Sequence, residues 1–240
     1  MPSLRAMRYA TLLFDLDNTL FDAETSELLA FDHALTAGGV PEPRTHFPTY
    51  EDINRALWAA VERQELTPNQ VQARRFADLV AAAGLAADPE VLADEFVTGM
   101  GAFGDLYPGA RSVLEALTAR SRLALVTNGL GAVQRARVKR LALEPFFSAI
   151  VISGEVDTAK PGSRIFDLAF EALDWPEKQT ALMIGDSLTS DVAGGAGYGI
   201  ATCWYNPQGR PVPFDATIDH EIRALDQLPR LAAAGIVSTG

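Results

Sequence analysis

Five short apolar runs constrain this chain more than any other feature. They are Tyr9–Phe14, Arg122–Val126, Ala149–Ser153, Thr180–Ile184 and Ile200–Tyr205. Each is five or six residues long and nearly continuous in apolar character. A strand with one wet face alternates polar and apolar residues, whereas an unbroken run reads as a strand covered on both faces. Helical spacing separates the later runs. Ala110, Val113, Leu114 and Leu117 fall at i, i+3, i+4 and i+7 after Pro108-Gly109. Phe166, Ala169, Phe170 and Leu173 do the same after Ser163, which is expected to cap that helix. Strands alternating with helices predict right-handed βαβ units, hence a doubly wound parallel α/β sheet.

The first connection breaks this rhythm. Roughly a hundred residues separate the first two runs, about three times a ~30-residue βαβ unit. The segment reads as helix throughout. Asp22 can cap a helix carrying Leu28, Phe31 and Leu35 that stops at Gly38-Gly39. Thr49 with Asp52 is expected to start a second, carrying Ile53, Leu57 and Val61. Thr67-Pro68-Asn69-Gln70 combines an N-cap, a first-turn proline and a capping-box glutamine, and Gly84 ends the third helix. Asp88-Pro89 opens a fourth, carrying Leu92, Phe96 and Phe103. Four helices with short loops can bury their own apolar faces as a bundle. The expected division is therefore a sheet domain over 1–21 and 106–240 with a helical domain inserted at 22–105. Leu106-Tyr107-Pro108-Gly109 would be the return hinge, and 206–216, with three prolines, a surface loop.

Charge excludes some partners. Twenty Lys and Arg against 31 Asp and Glu give a formal net charge of −11. A nucleic-acid polymer or an anionic membrane needs the opposite balance. No apolar run approaches the ~18–20 residues of a membrane span. A single cysteine, Cys203, cannot form an internal disulfide and reads as a small buried hydrophobe. The expected location is cytoplasmic, as a monomer or homodimer.

Chemistry gathers just after the apolar runs. Asp15-Leu16-Asp17-Asn18-Thr19 follows the first. Two unit charges ~4 Å apart repel by roughly 4 kcal/mol at an effective dielectric near 20, so two carboxylates ending a buried strand require compensation. A divalent cation with oxygen ligands supplies it; an Asp-rich turn with a helix cap is the plainer alternative. Gly185-Asp186-Ser187-Leu188-Thr189-Ser190-Asp191 follows the fourth run, and there too a loop Asp and a helix-start Asp are the alternative. Thr127-Asn128-Gly129 ends the second run; its hydroxyl and free N–H groups suit a phosphate, or form a plain turn. Lys160-Pro161 follows the third, where a lone lysine is commonly a surface charge. Taken together, all four segments lie where open α/β sheets bind ligands, outside the carboxyl ends of the strands. Carboxylates, one hydroxyl, one lysine and free N–H groups are the kit for metal-assisted phosphoryl transfer to a carboxylate.

These four motifs, in this order and with an insertion after the first, resemble the haloacid dehalogenase (HAD) superfamily of phosphohydrolases. A narrower similarity is to its pyrimidine 5′-nucleotidase branch. It rests on Leu20-Phe21-Asp22, Leu106-Tyr107-Pro108-Gly109-Ala110, Ile150-Val151-Ile152-Ser153 and Cys203-Trp204-Tyr205-Asn206. The resemblance implies a HAD-like core with a helical cap and a small phosphate ester as substrate. It implies that Asp15 is the nucleophile and Asp17 the acid and base. It implies Mg²⁺ held by Asp15, the Asp17 carbonyl and Asp186, with Asp191 orienting a metal water or Lys160. Thr127 and Asn128 would grip phosphate oxygens, Lys160 would neutralise charge, and Thr19 would support Asp15 from behind.

Rival readings divide on single features. A dehalogenase expels halide, which needs no proton, so Asp17 favours phosphate. Phosphatases for phosphoglycolate or sugar phosphates are further rivals, which cap identity separates poorly at the level of sequence. A phospho-acceptor signalling module would be near half this length and lack the insertion. His33, His46 and His220 show no metal-ligand spacing and read as surface or cap residues. Trp58 and the phenylalanines of the insertion read as bundle core, with Phe21 a lesser candidate to touch a base.

Overall fold

The computed structural model describes residues 8–212 and 217–233. Six strands form one parallel sheet: β1 (Thr11–Phe14), β2 (Arg122–Thr127), β3 (Ala149–Ile152), β4 (Ala181–Gly185), β5 (Ala201–Tyr205) and β6 (His220–Ile222). Their order is β3-β2-β1-β4-β5-β6. Successive side chains alternate between faces as the pleat requires. Leu12, Phe14, Leu123 and Leu125 pack on one face with Val113, Leu114 and Leu117 of α5 (Ala110–Thr118). Leu13, Ala124, Val126 and Met183 pack on the other with Ile165, Phe166, Ala169 and Phe170 of α7 (Ser163–Ala172). Both faces are covered, which is why the runs lack alternation. The strand order reverses direction between β1 and β4, so a crevice opens at their carboxyl ends.

Four helices lie between β1 and α5: α1 (Ala23–Ala37), α2 (Phe47–Glu62), α3 (Pro68–Ala83) and α4 (Pro89–Ala102). Their caps follow the sequence. Asp22 accepts the Thr25 N–H at 3.0 Å, and Asp88 accepts the Glu90 N–H at 2.9 Å. Thr67 and Gln70 form a reciprocal capping box. Gly84 ends α3 at φ +62°, a left-handed conformation that glycine adopts without strain. Phe31, Tyr50, Phe76, Leu79, Leu92 and Phe96 form a core of their own. A smaller cluster joins Leu57, Val61 and Val71 of the insertion to Ala159 of the sheet region. Among the described residues no helix is long and apolar enough to cross a membrane.

Several local expectations need correction. α2 begins at Phe47, not Thr49, because Pro48 favours the first turn and a 3₁₀ turn, Pro43–His46, feeds straight into it. The residue capping α7 is Gly162; Ser163 is already helical. β6 escaped the apolar-run criterion because it is three residues long and contains His220 and Glu221. His220 is therefore a strand residue, and its Nε2 lies 2.7 Å from the Tyr9 hydroxyl. Cys203 is buried in β5, as expected. The surface loop is irregular over 206–212, while 213–216 lie outside the described residues, as do 1–7 and 234–240.

Candidate active site

The crevice at the carboxyl ends of β1 and β4 is where the acidic motifs meet. The backbone N–H of Asp15 donates to the Ile184 carbonyl at 2.9 Å and extends the β1–β4 ladder by one step. The chain then curls. Leu16 is fully buried, and its carbonyl accepts the N–H groups of Thr19, Leu20 and Phe21 at 3.3, 2.9 and 2.9 Å. Asn18 takes φ +60°, a conformation asparagine tolerates better than most residues. This curl sends the two carboxylates to different partners.

Asp15 meets Lys160. Lys160 Nζ donates to Asp15 Oδ1 and to Asp191 Oδ1, both at 2.7 Å, and the lysine is 1% exposed. Thr19 Oγ1 lies 3.4 Å from Asp15 Oδ2 and is fully buried. Asp191 sits in a π-helical turn, Leu188–Val192, and its second oxygen accepts the Ser187 N–H at 3.0 Å. Gly185, the last residue of β4, lies so close to that carboxylate that an added methyl group would collide with it. The Asp186 carbonyl is pinned by the Trp204 indole N–H at 2.9 Å and by Arg210 at 3.1 Å.

Electrostatics show what this cluster lacks. Oxygens of Asp15, Asp186 and Asp191 all lie within 4.8 Å of one another. Among the described residues, Lys160 is the cation bonded to the carboxylates of Asp15 and Asp191, and Arg210 reaches only the Asp186 backbone carbonyl. Burial, then the neighbouring Asp191 carboxylate, pushes the Asp186 carboxyl up to about 7. Burial also raises Asp15 well above its ordinary value, despite Lys160. Burial alone would lower Lys160, but Asp15 and Asp191 raise it above the ordinary ammonium range and keep it charged. Two buried carboxylates and the half-buried Asp186 against one ammonium leave uncompensated negative charge. Hard oxygen donors with that surplus suit a divalent cation such as Mg²⁺ or Ca²⁺.

Asp17 meets a second group of residues. Arg137 Nη1 donates to Asp17 Oδ1 at 2.7 Å, and Gln134 Nε2 donates to Asp17 Oδ2 at 2.9 Å. Both come from α6 (Gly131–Arg140). Gln134 also donates to the Thr127 hydroxyl at 3.0 Å, which leaves the hydroxyl its own proton to donate. Thr127 is fully buried at the end of β2. Asn128 holds the Lys160 backbone from both sides: its Nδ2 donates to the Lys160 carbonyl and its Oδ1 accepts the Lys160 N–H, each at 2.9 Å. Arg137 reaches further, donating to the Met100 carbonyl at 2.9 Å and to Ser26 Oγ at 3.2 Å. It thus ties Asp17 to α1 and α4.

A cavity of about 300 Å³ joins these groups to the insertion. Asp15, Asp17, Asn128, Lys160, Asp186 and Asp191 line its floor, while Glu27, Asn54, Trp58, Glu62, Arg75 and Phe96 line its other wall. Two expectations change here. Trp58 is half-buried, packing against the cluster of Leu57, Val61, Val71 and Ala159, and it also lines this cavity. Phe21 is fully buried beneath the Arg137 guanidinium, 4.4 Å from its ring centroid, and does not line the cavity. Gln134, Arg137, Asn54 and Arg75 were not singled out by sequence. They sit in helices whose polar residues look like ordinary surface, and their partners lie far along the chain.

Fold and site together define an α/β enzyme working at the carboxyl edge of a parallel sheet. The chain belongs to the haloacid dehalogenase-like hydrolase family, whose pattern it matches over residues 9–199. It is 33% identical over 228 residues to the pyrimidine 5′-nucleotidase YjjG of Escherichia coli strain K12, covering 94% of this chain and 98% of that one. It is 34% identical to the pyrimidine 5′-nucleotidase PynA of Streptococcus pneumoniae, covering 84% and 85%. The crystal structure of the HAD-hydrolase YfnB of Bacillus subtilis, bound to magnesium, superposes with a TM-score of 0.85 at 33% identity, covering 95% of this chain and all of that one.

Proposed function

We propose that the protein is a Mg²⁺-dependent phosphatase that works through a phosphorylated Asp15, with a pyrimidine nucleoside 5′-monophosphate as substrate. The observation that carries the chemistry is the buried ammonium of Lys160, bridging Asp15 and Asp191 at 2.7 Å beside an independently held Asp17. The similarity to two pyrimidine 5′-nucleotidases supports the substrate class.

In this reading an Asp15 oxygen attacks phosphorus as the ester P–O bond breaks. Asp17 gives a proton to the departing oxygen. A water then attacks phosphorus, returns its proton to Asp17 and releases phosphate from Asp15. Asp15 and a phosphate dianion repel one another, and Lys160 offsets part of that repulsion. Asp15, Asp186 and the Asp17 carbonyl would hold the metal, with Asp191 beside it orienting a metal water or Lys160. A divalent ion there neutralises charge on the phosphate and its nucleophile. Thr127 and Asn128 would receive phosphate oxygens. Arg137 and Gln134 aim Asp17 and need no role of their own in bond making. Residues 22–105 would act as a cap that excludes water and reads the leaving group; the magnesium-bound YfnB structure, described as revealing interdomain movement, supports a cap of this kind.

The test is a panel of nucleoside monophosphates, sugar phosphates and phosphoglycolate, assayed with Mg²⁺ and again with EDTA. A pyrimidine monophosphate should give the highest kcat/KM, EDTA should abolish turnover, and added Mg²⁺ should restore it. Preference for a sugar phosphate by about tenfold or more, roughly 1.4 kcal/mol, would overturn the substrate assignment.

A further inference from the structure

The wall contributed by the insertion holds a cation that the chemistry above does not use. Arg75 of α3 is 3% exposed, and no carboxylate lies within 4.0 Å of its guanidinium among the described residues. Its neighbour Arg74 is exposed and paired with Asp78. Arg75 makes one hydrogen bond, from Nη1 to the Tyr50 hydroxyl at 3.0 Å, and its Nε is buried without a partner. Phe96 and Tyr50 lie under the guanidinium at 4.7 and 6.0 Å from their centroids. Aromatic faces attract a cation but do not replace its lost hydration. A guanidinium that lines a cavity with no carboxylate beside it and one nitrogen unsatisfied calls for an acceptor from outside the protein.

A hydrogen-bond chain fixes what stands beside it. Arg75 donates to Tyr50, Tyr50 donates to Glu27 Oε1 at 2.7 Å, and Asn54 Nδ2 donates to the same oxygen at 2.6 Å. Glu27 thereby turns the amide nitrogen of Asn54 toward itself. Asn54 Oδ1 is left buried with no partner. Arg75 and Asn54, at the two ends of this chain, both line the cavity that holds Asp15 and Lys160, and each carries a buried polar atom that no group among the described residues satisfies.

We infer that Arg75 and Asn54 form the subsite that reads the far edge of the leaving group, taking a group that presents a hydrogen-bond acceptor beside a donor. This inference rests on the nucleotidase reading for its particular substrate. The Watson–Crick edge of a pyrimidine has this form: uracil offers a carbonyl oxygen beside N3–H, and cytosine offers N3 beside its amino group. Trp58 and Phe96 add aromatic surface to the same cavity. The volume of about 300 Å³ is small among ligand pockets of ~300–1,000 Å³ and favours a single-ring leaving group.

The experiment compares kcat/KM for uridine 5′-monophosphate with that for phenyl phosphate, whose leaving group carries no second hydrogen-bonding edge. Arg75→Met should lower the ratio of the two by at least about tenfold, as expected for loss of a charge-assisted hydrogen bond. Arg75→Lys should recover part of the loss. Asn54→Ala should lower the ratio about threefold or more, and it decides the matter alone should Arg75→Met fail to fold. A ratio unchanged within about twofold in folded variants overturns the subsite, because a merely structural role lowers both substrates together. If the wild-type enzyme prefers another ester in the panel, the nucleotidase reading fails by itself. The ratio is then taken with that preferred ester, and the same tenfold criterion decides the subsite.

Discussion

The two walls of the cavity are built on opposite principles. On the sheet side, the charged groups answer one another inside the protein: Lys160 with Asp15 and Asp191, Arg137 with Asp17. On the insertion side, Arg75 and Asn54 keep buried polar atoms without partners. A network of such pairs is rigid, because any displacement exposes an unpaired buried charge, though the Asp15, Asp186 and Asp191 cluster still carries surplus negative charge that a cation would balance. An unsatisfied network is completed by what binds. The proposed function divides the tasks along this difference: the sheet edge would fix the reacting groups, and the insertion would select what they act upon.

The largest effect that would sharpen this contrast concerns Lys160. Lys160→Met should reduce kcat with the best phosphate ester by about a thousandfold, comparable to loss of a key electrostatic stabiliser. It leaves Asp15 and Asp191 facing each other without their ammonium. A loss of less than about tenfold would break the claim that the sheet wall carries the chemistry.

Next comes Gly185→Ala. Its methyl group must displace the Asp191 carboxylate. Turnover and apparent Mg²⁺ affinity should both fall by about 10–100-fold, as for loss of a group that orients metal ligands. Melting temperature measured with the metal removed separates this from general unfolding. Unchanged Mg²⁺ dependence would show that Asp191 has no part in the ion's site.

The smallest effect is a pH trend of the metal-free protein. Asp186 stays protonated in the fold up to about pH 7, whereas in the unfolded chain it ionises above its ordinary 3.8. The unfolded state therefore loses its proton first as pH rises. This contribution is fully present below that ordinary value and is lost as pH climbs toward 7, by on the order of 2–4 kcal/mol. Asp15 acts in the same direction. Urea unfolding in EDTA should show this fall in the wild type and a shallower one in Asp186→Asn. Saturating Mg²⁺ should flatten it. Equal slopes in the two proteins would remove Asp186 as the cause.

Much of the sheet side could be read from sequence, for a physical reason. A strand covered on both faces is an unbroken apolar run, and ligand groups follow such runs at the carboxyl edge. Hence Asp15, Thr127, Lys160 and Asp186 could be found without knowing which strand neighbours which. The strand ends were harder, since Thr127 and Gly185 continue the ladder though neither extends an apolar pattern. The partners of Asp17 could not be read. Gln134 and Arg137 lie in a helix with four basic residues, and only pairing across 117 and 120 positions makes them buried. Arg74 and Arg75 make the same point in adjacent residues. They are identical in type, yet one faces water and the other the cavity. Helical periodicity locates a buried face through its apolar residues and says little about a polar one among them. Trp58 likewise packs on the Leu57 cluster and also lines the cavity, and periodicity shows only the first.

The account rests most heavily on Asp15 as the group that takes the phosphoryl. Rapid acid quench during turnover, followed by peptide mass mapping, reports this directly. The account predicts one phosphoryl group on the peptide carrying Asp15. It also predicts none in a folded Asp15→Asn variant, whose turnover should be lower by about four orders of magnitude or more. Near-normal turnover by that variant, or turnover with the phosphoryl group on another residue, would contradict it.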